Sequence, residues 1–488
     1  MKLPNFDELY VISDLHLGGS SGFQIFTSTN EAKALLDFLS GLKPQRVCLV
    51  INGDLVDFLA EDGAQSFNPE DADVMLRRIA DDAAFKPVFD GLREFLSKAN
   101  HHLAINLGNH DIELSLPWVR AVLLDILAGT DDAARGRVEL VFEGTGYVAC
   151  VGTARVMCLH GNEVDSWNVT AFETLRLQGR DRLQGNSSET WKPNAGSRMV
   201  VEVMNDIKRK WPFVDLLKPE MGAVPSVLIA LDPSVAVKLT AIAGLAAASG
   251  IDSLKMRMGF LGEPENTPSG VPVNPLAASE ARMRAKLQAP EEKSVSDLLA
   301  RAEKELTRGT RPVDLIGRDR DQEYLGAVSA AWNWVRGKPK HEVVCAALDG
   351  LAKDTSFDLF NEDATFKGVD ERVGAGFDFV ITGHTHLERA LHRHHGTGFY
   401  YNGGTWVGLM SFDPTTLADP NQFKPVFDRL SLGTLAALEE MPSLVERRNS
   451  FVKISAGPSG TRGELRRAQI ARGKFTMELV EGSEHYVS

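Results

Sequence analysis

The segment Leu9-Tyr-Val-Ile-Ser-Asp-Leu-His16 decides how this chain is read: a run with strand character, Leu9–Ser13, passes without a break into Asp14 and His16. The same junction recurs twice. Arg46–Ile51 opens into Gly53-Asp54-Leu-Val-Asp57, and His102–Leu107 opens into Gly108-Asn109-His110-Asp111. Between the first two runs, Glu31–Ser40 spaces Ala34, Leu35, Phe38 and Leu39 as one helix face. Between the second and third, Phe85, Val88, Phe89, Leu92, Phe95 and Leu96 share another. Strand, helix and strand in alternation predict a largely parallel, buried sheet.

Farther on, Val138–Phe142, Tyr147–Val151 and Arg155–Leu159 are short strands joined by Gly-containing turns, which predicts a meander on a second sheet, and His160-Gly161 follows directly. From Val164 to Lys340 the sequence turns charged and loop-rich. It has polar turns at Gln184–Ser188, a Pro/Gly/Asn-rich linker at Gly262–Pro275, and helical patches at Met199–Lys210 and Ser294–Leu306. Strand character resumes at Asp378–Thr382, ahead of Gly383-His384-Thr385-His386, and at Gly398–Tyr401. The expected organisation is a core over 1–163, a mostly helical insertion or cap over 164–340, the rest of the core over 341–410, and a C-terminal extension over 411–488. That extension carries strands at Ser450–Ser455 and Phe475–Val480 and a basic run, Arg462–Arg472, read as a solvated face.

Bulk composition narrows the function. A formal net charge of -13 over 488 residues argues against a surface built to hold nucleic acid, whose affinity comes mainly from Lys and Arg on phosphates. The four cysteines, Cys48, Cys150, Cys158 and Cys345, show no CxxC spacing, which predicts buried free thiols and a reducing compartment. The opening MKLPNFDELY has no basic stretch followed by an apolar one, so a cytoplasmic location is the expectation. The apolar stretch Ala223–Ile251 is interrupted by Asp232, Pro233 and Lys238, so no transmembrane segment is expected.

A lone Asp or His after a strand commonly serves a turn. Five such clusters are different, because turn chemistry has no use for imidazoles at His16, His160, His384 and His386, each beside a carboxylate, an amide or another imidazole. Carboxylate with neutral imidazole is the ligand set of divalent transition ions. The absence of cysteine from the clusters argues against a structural zinc site. Seven candidate ligands, Asp14, His16, Asp54, Asn109, His160, His384 and His386, exceed one octahedral shell and point to two ions.

The ordered series D-x-H, G-D-x-x-D, G-N-H-D, H-G and G-H-T-H resembles the calcineurin-like metallophosphoesterase superfamily over about residues 8–162 and 376–410. The resemblance implies an α/β (α+β layered) fold, a β-sandwich flanked by helices, here with a large mostly helical insertion. It implies that Asp14, His16, Asp54 and His386 hold one ion and Asp54, Asn109, His160 and His384 the other, with Asp54 as the bridge. Manganese is the first expectation, with iron, zinc or cobalt as alternatives. His110 resembles the histidine that protonates the leaving oxygen, with Asp57 or Asp111 orienting it. Ile12–Gly18 and Tyr400–Trp406 are also similar to the UDP-2,3-diacylglucosamine pyrophosphohydrolase subgroup, which commonly carries Arg at the place of His110.

The expected function is a dinuclear metal-dependent phosphoesterase. It would hydrolyse a phosphodiester, pyrophosphate or phosphomonoester on a small or lipid-linked molecule by attack of a metal-activated hydroxide. A metal-dependent DNA or RNA nuclease and a non-catalytic scaffold on the same fold are the alternative readings. His101, His102, His392, His394 and His395 lack the strand-end position and are not counted as ligands, and Trp118 and Trp167 are read as packing residues.

Overall fold

The computed structural model describes residues 3–20, 22–42, 45–165, 167–186, 191–217, 227, 230–231, 338–348, 356–412, 414–439, 441 and 444–488. Expectations at Gly262–Pro275 and Ser294–Leu306, and nearly all of those at Ala223–Ile251, lie outside these residues. By contacts the chain forms two units, one of residues 1–197, 357–408 and 447–488, the other of 198–356 and 409–446.

The first unit is built on two sheets. Its strands are β1 (Asn5–Phe6), β2 (Glu8–Ile12), β3 (Val47–Asn52), β4 (His101–Asn106), β5 (Val138–Val141), β6 (Tyr147–Val151), β7 (Ala154–Cys158), β8 (Phe379–Thr382), β9 (Glu388–His392) and β10 (Phe399–Gly403). The second unit holds β11 (Leu409–Met410) and β12 (Val445–Glu446), and the chain then returns to the first for β13 (Ser450–Gly457), β14 (Gly460–Ala471), β15 (Lys474–Leu479) and β16 (His485–Val487). The eight-stranded sheet has the order β15-β14-β13-β2-β3-β4-β5, with β16 paired to β14. The six-stranded sheet has the order β1-β6-β7-β8-β10-β9. As expected, β2, β3 and β4 are parallel.

Strand periodicity explains the layering. Successive side chains point to opposite faces, so Leu9, Val11, Cys48 and Val50 enter the core between the sheets, while Tyr10, Ile12, Leu49 and Ile51 enter the core beneath the helices. Facing them across the inner core are Ala149, Val151, Val156, Phe379 and Ile381 of the six-stranded sheet. The outer core is closed by α1 (Thr29–Ser40), α2 (Ala72–Asp81), α3 (Lys86–Leu96) and α4 (Pro117–Ala128), which bury Leu35, Leu39, Leu76, Ile79, Phe89, Leu92, Phe95, Val119 and Leu123. This is the layered β-sandwich flanked by helices that the motifs implied.

Several expectations are corrected. Val138–Phe142 does not join a meander: β5 pairs in parallel with β4 and extends the eight-stranded sheet, while β6 and β7 form an antiparallel pair in the other. The first unit runs past the expected boundary at 163, because the helix Phe172–Leu183 buries Leu175 in the outer core. Residues 447–488 are no appendage, since β13 pairs with β2 and makes the eight-stranded sheet continue through the C-terminal strands. The run Arg462–Arg472 is not a solvated face. It forms most of β14, where Arg462 and Arg466 pair with Glu464 and Arg467 pairs with Glu388. All four cysteines are free, three of them buried and Cys150 half-buried.

In the second unit the helical expectation at Met199–Lys210 is met by a π-helical turn, Val200–Met204, followed by Asn205–Lys208. The helices Lys340–Leu348 and Pro420–Leu430 pack together there, and Cys345 Sγ lies 3.3 Å from the carbonyl of Leu417. No helix of the described residues is long and apolar enough to cross a membrane.

Candidate metal centre

All five clusters lie just past the C-terminal ends of strands: Asp14 and His16 after β2, Asp54 and Asp57 after β3, Asn109 and His110 after β4, His160 after β7, His384 and His386 after β8. Two asparagines tie the sheets together beneath them. Asn52 and Asn106 are paired residues at the ends of β3 and β4. Asn106 Nδ2 donates to Asn52 Oδ1 at 2.6 Å and to the Cys158 carbonyl at 3.0 Å, and Asn52 Nδ2 donates to the Leu159 carbonyl at 2.7 Å. These bonds tie the ends of β3 and β4 to the end of β7 and so fix where their loops emerge.

The backbone at the candidate ligands is itself unusual. Seven non-glycine residues have positive φ among the described residues, and five of them are Asp14 (55°), His16 (49°), Asp54 (51°), His384 (69°) and His386 (63°). A left-handed conformation at a residue with a Cβ costs of order 1–3 kcal/mol and persists where its surroundings over-determine it. Here they do: Asp14 N donates to the Gly53 carbonyl at 3.2 Å, His16 N to the Asp54 carbonyl at 2.9 Å, and His384 N to Asp14 Oδ2 at 3.0 Å. Thr405 and Trp406 hold the Asp14 carbonyl, and Asn402 Nδ2 donates to the Gly383 carbonyl at 2.7 Å. The Tyr400–Trp406 segment thus supports both the Asp14 loop and the Gly383–His384 turn.

Ligand atoms of Asp14, His16 and His386 lie within 4.8 Å of one another, as do those of Asp14, Asp54 and His160 and those of His16, Asp54 and His110. His16 Nε2 is 3.1 Å from His386 Nε2 and 3.7 Å from Asp54 Oδ2, and His386 Nε2 is 3.3 Å from Asp14 Oδ1. His160 Nε2 is 3.3 Å from both Asp54 Oδ2 and Asn109 Oδ1. Asp54 therefore touches both groups. His384 Nε2 meets Asp165 Oδ2 at 2.9 Å, and its ring centroid lies 5.3 Å from that of His160.

The donor set fits divalent cations on its own chemistry. A ligating histidine commonly donates its second ring N–H to an acceptor, which fixes its tautomer. His16 Nδ1 lies 3.2 Å from Asp57 Oδ2 and His160 Nδ1 lies 2.8 Å from the Asn52 carbonyl, so both present Nε2 to the cluster. The field also favours positive charge. Burial pushes the Asp14 carboxyl up, but the hydrogen bond and charge of His386 outweigh it and hold Asp14 at about 2. Burial pushes His160 down, yet Asp54 beside it raises it to about 10.

The two candidate partners of His110 separate. His110 Nδ1 is 3.1 Å from Asp57 Oδ1, whereas Asp111 accepts from the amides of Gly108 at 2.7 Å and Leu55 at 2.8 Å, clamping the loops after β3 and β4 together. Burial, then the charge of Asp54, raises Asp111 to about 8. Sequence reasoning passed over Asp165, Asn168, Asn52 and Asn402. The nearest signal was the position of Asp165 five residues after His160 in His160-Gly-Asn-Glu-Val-Asp165. The histidines not counted as ligands have other partners, such as the Phe95 carbonyl for His101, Glu362 for His394 and Asp370 for His395. Trp118 donates to the Pro69 carbonyl and packs on the outer core.

A helix-flanked β-sandwich thus gathers these donors at the ends of its strands. Residues 8–214 match the family model of the calcineurin-like phosphoesterases. Four of the five clusters fall inside the matched span, and the fold brings in the fifth, Gly383–His386. No curated protein matches the chain.

Proposed function

We propose that this protein is a dinuclear metal-dependent phosphoesterase. Asp14, His16 and His386 would hold one ion, Asn109, His160 and His384 the other, and Asp54 would contact both. The observation that carries the reading is the contact of Asp54 Oδ2 with both His16 Nε2, at 3.7 Å, and His160 Nε2, at 3.3 Å. Bound there, two divalent ions supply Lewis acidity that activates water and offsets charge on the phosphoryl oxygens.

His110 stands at the edge of the cluster, with its side chain 18% exposed against 4% for Asp57. An ionised carboxylate only accepts, so Asp57 fixes a proton on His110 Nδ1 and stabilises the imidazolium. His110 Nε2 then delivers its proton to the leaving oxygen as the P–O bond breaks, a role worth roughly 10²–10⁴ in rate. Asn109 contributes a neutral oxygen, which limits the negative charge a phosphate anion meets on entry.

The substrate class we favour is a phosphodiester, pyrophosphate or phosphomonoester on a small or lipid-linked molecule. A nuclease gains no support from the one basic run, because Arg462, Arg466 and Arg467 are already paired with carboxylates. The free thiols support a reducing compartment such as the cytoplasm.

The test compares hydrolysis of bis-p-nitrophenyl phosphate and p-nitrophenyl phosphate by metal-free protein with manganese added back, beside Asp54→Ala and His110→Ala. Manganese-dependent turnover that both variants lose supports the reading. No turnover of either ester by protein shown to hold two ions argues against hydrolysis of simple phosphoesters and for a binding role.

A further inference from the structure

We infer that Asp165 and Asn168, which lie outside every motif, are positioning residues that orient two ligands of one ion, His384 and Asn109. The inference rests on the dinuclear reading above. It starts from a carboxylate with too many partners for a simple turn. Asp165 Oδ2 lies 2.9 Å from His384 Nε2 and accepts from Asn168 Nδ2 at 2.7 Å, while Asp165 Oδ1 accepts from Trp167 N at 2.9 Å.

Because a carboxylate offers no proton, each neighbour must turn a donor toward it. His384 therefore carries its proton on Nε2 and keeps the lone pair on Nδ1. Asn168 turns Nδ2 to Asp165, which leaves its Oδ1 to accept from Asn109 Nδ2, a long contact at 3.5 Å. Asn109 in turn presents Oδ1, the only atom of its side chain able to ligate a cation, beside His160 Nε2 at 3.3 Å. One acceptor-only group thus sets the tautomer of one ligand and the amide orientation of another.

The surroundings fix Asn168 in place. Its carbonyl accepts from Asn162 Nδ2 and Asn194 Nδ2, both at 3.1 Å, and Gly196 N donates to the Trp167 carbonyl at 2.8 Å. A Cβ at Gly196 would stand 1.9 Å from Asn168 Oδ1, so only glycine admits this side chain. Ser197 Oγ adds a contact to the Asn109 carbonyl at 3.4 Å. The ligands of the other ion are held differently, with His16 on Asp57 and Asp14 on the Gly383–His384 turn. Loss of Asp165 should therefore weaken one ion and spare the other.

The experiment titrates metal-free full-length protein, wild type, Asp165→Ala, Asp165→Asn and Asn168→Ala, with Mn²⁺ alone. Stoichiometry and affinity are read by equilibrium dialysis, and exchange coupling between paired ions by electron paramagnetic resonance. We expect two coupled ions in the wild type. In Asp165→Ala the first ion should bind normally, the second about 10–100-fold more weakly, and the coupled signal should be lost. Asp165→Asn, which can still accept from His384, should recover part of the affinity. Asn168→Ala leaves the Asp165–His384 pair intact and carries the test if Asp165→Ala fails to fold. Two ions bound with wild-type affinity in both alanine variants, or equal loss of both ions, overturns the inference. A wild type that never binds two ions instead overturns the dinuclear reading on which it rests.

Discussion

Asp57 accepts from His110, Oδ1 to Nδ1 at 3.1 Å, while its second oxygen lies 3.2 Å from Nδ1 of His16. A proposed general acid and a proposed metal ligand thus hang on one buried carboxylate. Burial alone would push Asp57 up, but His110 and then His16 hold it well below the usual carboxylate range. Asp57→Asn should lower kcat/KM on bis-p-nitrophenyl phosphate by about 10²-fold, within the range for general acid catalysis. Combining it with His110→Ala should give less than the product of the two losses, because the two residues act as a unit. Multiplicative losses in that cycle would show that Asp57 acts elsewhere.

Gly108 tests how tightly the loops after β3 and β4 pass each other. A Cβ there would lie 2.0 Å from Asp54 Oδ1 and 2.4 Å from Asp54 N. Gly108→Ala must displace the proposed bridging ligand, so bound manganese and activity should fall together, with a loss of stability of about 1–3 kcal/mol from overpacking. Gly374→Ala is the control, since a Cβ there meets nothing within 4 Å. Its urea midpoint and manganese content should match wild type.

Glu388, 2% exposed, accepts from Arg467 Nε at 2.8 Å and Arg448 Nη1 at 2.9 Å, joining β9 of one sheet to β14 of the other. Removing one partner of a buried ion pair costs about 3–5 kcal/mol. The arginine side chains are 29% and 14% exposed and regain some hydration. Glu388→Ala should therefore lose about 3 kcal/mol, at the low end of that range, in reversible urea unfolding. A midpoint equal to wild type would mean that the bridge contributes nothing net.

His485, on the last strand, stacks on Phe399 with centroids 4.1 Å apart and places Nδ1 2.8 Å from Tyr401 Oη. Burial, then the charge of His392, lowers it from 6.5 to about 4. Between those values the unfolded chain binds the extra proton, so the neutral ring's contribution is fully present above pH 6.5 and is lost as pH falls through 4. Protection from hydrogen exchange at His485–Val487, taken relative to the intrinsic rate, should fall between pH 6.5 and 4, and His485→Gln should flatten that dependence. Exchange there that follows only its intrinsic pH trend would discount the histidine.

Much of the fold was legible locally. Leu9–Ser13, Arg46–Ile51 and His102–Leu107 announce buried strands because their apolar runs end abruptly in polar loops, and the spacing through Phe85–Leu96 announces a helix because one face is apolar. β14 was not legible. Its arginines look solvated until Glu464 and Glu388 are placed beside them. β5 misled because a short strand with turns on both sides does not name the sheet it joins, and its parallel pairing with β4 is non-local.

What the sequence determined by itself was the identity and order of the chemistry-bearing groups, since strand ends that carry Asp, His and Asn converge wherever parallel strands align. The tertiary structure alone decided which groups meet. His16 and His386 stand 370 positions apart yet 3.1 Å from each other, His110 takes Asp57 and not Asp111 as its partner, and Asp165 reaches His384. The reason is physical: periodicity is a property of neighbours along the chain, whereas a hydrogen-bond partner is fixed by which loops are held within about 3 Å in space.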